Sequence, residues 1–212
     1  MSAGAGVLTR PFGDRRWDGI VRGTGVMAAL GIPLVILAPA TAPLLVFVLA
    51  TLWTHGPLAM LMPAAYEPIL AHFGGLYPPA EIAVLGTLAD LVVEYVDYHV
   101  FRALCNDTRA RRAMDHGIVQ RAIGWFNRAP FLTTFVFALT PLPDWALRLV
   151  APAAGYSVPR YLLAMGLGRF PNFLLFAAAG TVWHPGAGVL GVLLCVSLCL
   201  GVLLVRRQRR AA

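Results

Sequence analysis

Long apolar blocks alternate along the chain with short polar segments that carry arginine. The first block, Val26 to Trp53, would rise about 42 Å as one straight helix, more than a hydrocarbon core of roughly 30 Å. Pro33, Pro39 and Pro43 therefore predict a kinked or tilted span. The second block, HGPLAMLMPAAYEPILAHFGGLYPP, is apolar but interrupted by Pro57, Pro63, Pro68 and the pair Gly74–Gly75, and it carries Glu67. Its unbroken pieces are too short to cross a bilayer. Glu81 to Leu104 is of spanning length and free of proline. The polar interlude from Cys105 to Arg128 sets Trp125 and Phe126 beside arginines, the pattern of an amphipathic helix at a membrane interface. A second proline-broken apolar block runs from Pro130 to Pro159, with TPLPDWALR at its centre. Tyr161–Trp183 and Gly188–Val205 supply two more spans joined by HPGAG, and RRQRR opens the tail.

The two broken blocks need a physical account. In lipid every backbone N–H and C=O requires a partner, so irregular chain at membrane depth survives only when buried in protein or lining a wet cavity. Pro141 and Pro143 remove donors and stop a helix, which lets the chain turn back near mid-membrane. Each block is thus expected to form a re-entrant helical hairpin, one entering from each side. Arginine placement favours this. With four spans and two hairpins, 15 of the 17 arginines lie on the cytoplasmic side, Arg148 and Arg169 stay at membrane level, and none lies outside. The expected fold is an all-α integral membrane protein with four spanning helices and two opposed re-entrant hairpins. Residues 1–24 form a cytoplasmic tail, 25–205 the membrane domain, and 206–212 a cytoplasmic basic tail.

Composition supports the membrane class. Of 212 residues, 58% are hydrophobic and 13% charged, with mean hydropathy +0.71, too little charge for an ordinary soluble domain. The net charge of +7 comes entirely from arginine, and flanking arginines set topology and meet anionic lipid. Nucleic-acid binding is excluded, because no basic helix or aromatic platform stands clear of the apolar blocks. Cys105, Cys195 and Cys199 form no C-x-x-C pair. The five histidines lack ligand spacing, so no metal or other cofactor is expected. No nucleophile elbow, phosphate-binding loop or H-E-x-x-H is present, and an enzyme is not expected. The N-terminal segment lacks a short apolar core with a cleavage site and reads as a retained tail.

The motifs PAAYEP, the helix ending YHVFR, TPLPDWALR and AAGYSVPRYLLAMGLGRF together resemble the DedA / VTT-domain membrane protein family over roughly residues 25–205. The resemblance implies two re-entrant hairpins in an inverted repeat. It also implies a role in moving lipid, phospholipid or polyprenyl phosphate, between leaflets, with dependence on the proton-motive force. Glu67 matches the family's acidic residue in the first hairpin and Arg148 the arginine after the second hairpin's prolines. Gly155 and Pro159 match the turn positions that follow. Ala138, Leu139 and Thr140 stand where many bacterial members carry an arginine.

The candidate residues follow. Asp90, Glu94 and Asp97 fall at i, i+4 and i+7, on one helix face. Each charged carboxylate near the membrane centre costs about 2.5–3.5 kcal/mol on insertion scales, so that face should look inward or toward water. It is either a proton or cation path, with Asp90 the deepest member, or a set of ion pairs in which Glu94 and Asp97 meet Arg102 or Arg109. Glu67 and Asp90 are the proton-coupling candidates; for Glu67 the alternative is an acid placed at a helix N-terminus. Asp144, Arg148 and Arg169 are candidates for head-group contact or for ion pairing, Arg148 with Asp144 and Arg169 with Asp90 or Glu94, since a guanidinium fork fits phosphate and carboxylate alike. Pro63, Pro68, Pro141, Pro143, Gly155 and Pro159 shape the hairpins. The expected function is a lipid flippase or scramblase of the plasma (inner) membrane, with both termini cytoplasmic and membrane lipids as partners; a homo-oligomer is compatible with it. A proton-coupled transporter of a small ion or solute, and a non-transporting assembly scaffold, remain open alternatives.

Overall fold

The computed structural model describes Pro33 and residues 41–56, 66–105, 117–140 and 145–183, with 185, 186, 188–193, 195, 196 and 199 beyond them. Among these residues every regular element is helical: α1 (Ala42–His55), α2 (Tyr66–Leu76), α3 (Pro79–Cys105), α4 (Gly117–Phe126), α5 (Pro130–Leu139), α6 (Trp145–Ala153) and α7 (Val158–Val182). The part of the first apolar block from Val26 to Ala40, apart from Pro33, and most of Gly188–Val205 lie outside the described residues. So do Pro63, Pro141, Pro143 and Asp144.

Prolines mark helix starts. α1, α5 and α7 each carry one at the first or second position, where the missing N–H would have had no intrahelical partner. Pro159 begins α7 in this way, and Pro68 lies in the first turn of α2. α6 ends differently. The Gly155 N–H donates to Pro152 O and the Tyr156 N–H to Ala151 O, with Gly155 at φ +68°, which together make a Schellman motif. The left-handed conformation at that turn is the reason for glycine there.

Two three-helix units repeat one pattern of contacts. α1 packs on α3 as α5 packs on α7, α2 lies against α7 as α6 lies against α3, and α3 and α7 pack on each other. The two long helices run antiparallel: Gly86 approaches Phe173, Asp90 meets Arg169, and Tyr98 meets Tyr161. The second unit is therefore inverted relative to the first. Each short helix stops opposite the middle of its long partner. His55, the last residue of α1, faces Asp90, and the carbonyl of Leu139, the last of α5, accepts a 2.7 Å bond from Asn172 Nδ2. The His55 carbonyl is likewise taken, by Arg148 Nη1 at 2.6 Å. Helix ends that stop inside a protein need such donors for their open carbonyls.

Burial on α3 is the reverse of a soluble helix. Asp90 and Glu94 are 0% exposed and Asp97 4%, while Val84, Leu88 and Val92 are 45–58% exposed along the opposite stripe. Carboxylates inside and valines and leucines outside suit a helix surrounded by lipid. α7 is the one described helix long and apolar enough to cross a membrane by length and composition. α3 is longer still, but its carboxylates lower its hydropathy.

Small residues set the closest helix contact. A Cβ on Gly74 would lie 2.1 Å from Ala177 O, and one on Gly180 1.9 Å from Ala71 O, so α2 and α7 touch backbone to backbone. This is how helices associate where lipid removes any hydrophobic drive between them. It also corrects the expectation that Gly74–Gly75 breaks the chain: α2 continues to Leu76 because packing against α7 outweighs the weak helix propensity of glycine.

Candidate functional site

Two apolar clusters cap the ends of the α3–α7 pair. One gathers Phe47, Tyr66, Leu70, Phe73, Ile82 and Phe173; the other gathers Tyr98, Phe126, Leu147, Tyr161 and Met165. Between them lies a sealed layer of ionisable side chains. Asp90 is about 16 Å along α3 from its first residue and Arg169 about 16 Å along α7, so this pair sits near mid-length of both helices, with Glu94 and Asp97 about 6 and 10 Å further along α3.

Arg148, 6% exposed, reaches from α6 across to α3. Its Nη1 donates to Asp97 Oδ2 at 2.7 Å and to the His55 carbonyl, and its Nη2 lies 2.8 Å from Glu94 Oε1. The Tyr161 hydroxyl of α7 donates to Glu94 Oε2 at 2.5 Å. Arg169 Nε lies 3.2 Å from Asp90 Oδ2. That separation makes an ion pair, but the N–H is not aimed well enough for a hydrogen bond. The Arg169 guanidinium also stands 5.7 Å from the centroid of the Phe173 ring, within cation–π reach. His55 Nε2 is 3.7 Å from Asp90 Oδ1. A guanidinium that hydrogen-bonds one carboxylate and a helix C-terminus and makes an ion pair with a second carboxylate is the arrangement expected of an arginine kept out of water. The Tyr98 hydroxyl donates to the Tyr156 carbonyl, tying α3 to the turn that leads into α7.

The structure brings Asp90, Glu94, Asp97, Arg148 and Arg169 into this one layer. Asp97 pairs with Arg148 and not with Arg102, which is exposed; five residues along a helix turn Arg102 about 140° away from Asp97. Arg109 lies outside the described residues. Glu67 stands apart, half-buried in the first turn of α2, where a carboxylate interacts favourably with the open N–H groups. Three contributors were not singled out in the sequence: His55, Tyr161 and Asn172. His55 had a legible sign, since it follows the first apolar block at the break T-H-G-P, where α1 stops. Tyr161 and Asn172 had none. No group of residues fit to hold a metal ion occurs among the described residues.

Compared with known families, residues 62–182, more than half of the chain, match the model of the VTT domain. That segment runs from just before α2 to the end of α7 and contains every charged member of the buried layer. Neither the curated proteins nor the solved structures contain a match to the chain.

Proposed function

The chain belongs to the VTT-domain family of DedA-type membrane proteins, and from that premise we propose that it moves a lipid between leaflets of the plasma (inner) membrane. Phospholipid or polyprenyl phosphate is the substrate, and proton uptake is coupled to its passage. The observation that carries this reading is the sealed layer of two arginines and three carboxylates that begins at mid-length of two antiparallel helices. Ionisable groups buried at membrane depth are rare and mark a substrate or ion path by default, even where, as here, they pair with one another. A phosphate is the one lipid group that can replace the carboxylates on an arginine fork. The described state is closed, with an apolar plug on each side of the layer, so Arg148 and Arg169 meet a head group only after α3 and α7 part. α1 and α5 each stop opposite the middle of a long helix. Since α1 belongs to the block Val26–Trp53 that was expected to span, the first hairpin is now read as α1 with α2, and the second as α5 with α6. An inverted repeat of this kind supplies two equivalent openings, one to each side.

The test is translocation in proteoliposomes of purified protein, with labelled phospholipid and labelled polyprenyl phosphate in separate arms. Movement above empty vesicles, reduced at least tenfold in Arg169→Gln, is the expected result. No movement with or without a pH gradient overturns the reading. One observation favours a second reading, a proton-coupled transporter of a small cation: acids outnumber arginines among the described residues of the layer. Ion flux without lipid movement in the same vesicles would establish it.

A further inference from the structure

We propose that the mouth of the α3–α6 seam is a docking site for the phosphate of an anionic lipid head group, held by Arg102, Arg160 and the Tyr156 hydroxyl. The inverted repeat makes two seams topologically equivalent, α2 against α7 and α6 against α3, but their residues make them unlike. Counted from the first residue of each helix, Asp90 is the twelfth of α3 and Arg169 the twelfth of α7, so their ion pair falls at the same place in both units. The same count matches α2 with α6. Ala71 and Gly74, which touch α7 backbone to backbone, then correspond to Val150 and Ala153. Their partners Ala177 and Gly180 correspond to Tyr98 and Phe101. One seam is therefore closed main chain against main chain. In the other, Tyr98 lies in one apolar cluster with Ala151, and Val150 packs against that cluster. Side chains can turn aside to admit a ligand while their helices stay in place; main chains in contact cannot.

The chemistry of the two seams differs as well. Arg148 is the fourth residue of α6, whereas the fourth of α2 is Ile69, buried in the first apolar cluster. α6 thus carries a guanidinium where α2 carries a hydrocarbon side chain.

At the outer end of the α3–α6 seam, the Tyr98 hydroxyl donates to the Tyr156 carbonyl. Arg102 follows Tyr98 by four residues and Arg160 follows Tyr156 by four, and both arginines are exposed. The charge of Arg102 reaches the Tyr98 hydroxyl and that of Arg160 the Tyr156 hydroxyl, which sets both guanidiniums near that tie. The Tyr156 hydroxyl oxygen is buried and hydrogen-bonds to no described residue. A buried O–H without an acceptor is costly, and a phosphate oxygen held by the two guanidiniums would accept from it. Among the described residues, this end of the bundle also bears Arg121 and Arg128, both exposed, and no exposed carboxylate; the opposite end bears Glu81 and no arginine. An anionic head group gains about fivefold in affinity for each arginine near the surface. The flank of α3 is apolar, with Val92 and Val96 exposed, which suits an occupant with acyl tails over free phosphate. Passage inward to Arg148 requires the Tyr98–Tyr156 bond to open. That route rests on the function proposed above; the docking site does not.

The test uses the full chain in phosphatidylcholine vesicles with spin-labelled lipids, whose motionally restricted fraction measures association with the protein. Phosphatidylglycerol should be preferred to phosphatidylcholine. Arg102→Gln combined with Arg160→Gln should lower that preference by about threefold or more. Tyr156→Phe should lower it by about twofold or more. Glu81→Gln should leave it unchanged, as should Arg206→Gln combined with Arg207→Gln, which removes the same charge from the tail. Should the Arg102 and Arg160 changes together prevent folding, each alone carries the test. No preference in the wild type overturns the site. So does a preference that survives loss of Arg102 and Arg160, or one that falls equally in the tail variant. Displacement by inorganic phosphate at fixed ionic strength also overturns it, by making the occupant a soluble anion. A wild type that prefers the anionic lipid but moves none would fault the transport reading alone. Where lipid moves, loss of the two arginines should slow it at low phosphatidylglycerol content and spare it at high content; equal slowing at both overturns the route.

Discussion

Replacing Arg148 by methionine tests the organisation of the buried layer most directly. The side chain keeps its apolar stem but loses the guanidinium that serves Asp97 at 2.7 Å, Glu94 at 2.8 Å and the C-terminal carbonyl of α1 at 2.6 Å. Removing one partner of a buried ion pair costs about 3–5 kcal/mol, because the charge left behind is no longer compensated. A stability of about 5–15 kcal/mol makes that a large share. At about 2–4 °C per kcal/mol for a chain of this size, the apparent Tm of Arg148→Met should fall by about 6–20 °C. Tryptophan fluorescence of purified protein in one detergent measures this, at a fixed scan rate because membrane-protein unfolding is often irreversible. The decisive arm is the triple variant Glu94→Gln, Asp97→Asn, Arg148→Met. With both acids neutral no uncompensated charge remains, so more than half of the lost Tm should return. An Arg148→Met Tm within about 2 °C of wild type would refute the argument, as would a triple variant as unstable as the sum of its single changes.

Other consequences follow from particular contacts. Gly180→Val sets a Cβ 1.9 Å from Ala71 O, so overpacking should cost about 3 kcal/mol and lower Tm. Gly124→Ala, with nothing within 4 Å of the added methyl, should instead raise stability by about 0.5–1 kcal/mol; equal effects of the two changes would contradict the close α2–α7 approach. Gly155→Ala forces a left-handed residue to carry a side chain and should cost about 1–2 kcal/mol, read in the same melting assay. Tyr161→Phe removes a hydrogen bond to a charged acceptor and should cost about 1.5–3 kcal/mol, with the loss falling to about 0.5–1.5 kcal/mol in a Glu94→Gln background, where the acceptor is neutral. In a Cys195→Ser, Cys199→Ser background, an impermeant maleimide should reach Cys105 from the cytoplasmic face only; labelling from outside would sink the four-span, two-hairpin arrangement.

Much of the fold was legible because lipid makes backbone breaks conspicuous. The prolines at Pro43, Pro130 and Pro159 mark helix starts within one or two residues, and the proline-free run from Glu81 appears as α3. The glycine pair at Gly74 was misleading for a definable reason. Propensity arguments treat glycine as a breaker, but here its missing Cβ is what lets α2 touch α7, and that requirement lies in a partner 103 residues further along. The repeat of contacts was legible only as a pairing of broken block with long helix. Its inverted sense needs the antiparallel meeting of Asp90 with Arg169, which no local pattern carries.

The site divides along the same line. That Asp90, Glu94 and Asp97 share a face follows from helical geometry alone, and that they look inward follows from the cost of charge in lipid. Their partners follow only in part: Asp90 or Glu94 stood as the expected ion-pair partners of Arg169, and the structure pairs Arg169 with Asp90, but nothing signalled that Arg148 would meet Glu94 and Asp97. Arg148 had a carboxylate four residues away at Asp144, and Asp97 had arginines following it at Arg102 and Arg109, so sequence proximity favoured local pairs. The fold joins residues 51 and 54 positions apart, Asp97 and Glu94 with Arg148, because a bundle buries α3 and α6 against each other while Arg102 points outward; Asp144 and Arg109 lie outside the described residues. His55 escaped for a related reason. A lone histidine carries no pattern, and its meaning comes from neighbours that only the fold brings together: the Thr51 carbonyl at 3.3 Å, the Asp90 carboxylate at 3.7 Å and the Tyr66 ring standing edge-on to it. The position was nonetheless marked. A proline-broken apolar block need not cross as one helix even when it is long enough to, so an ionisable residue just before its Gly-Pro break is a candidate for burial inside the protein.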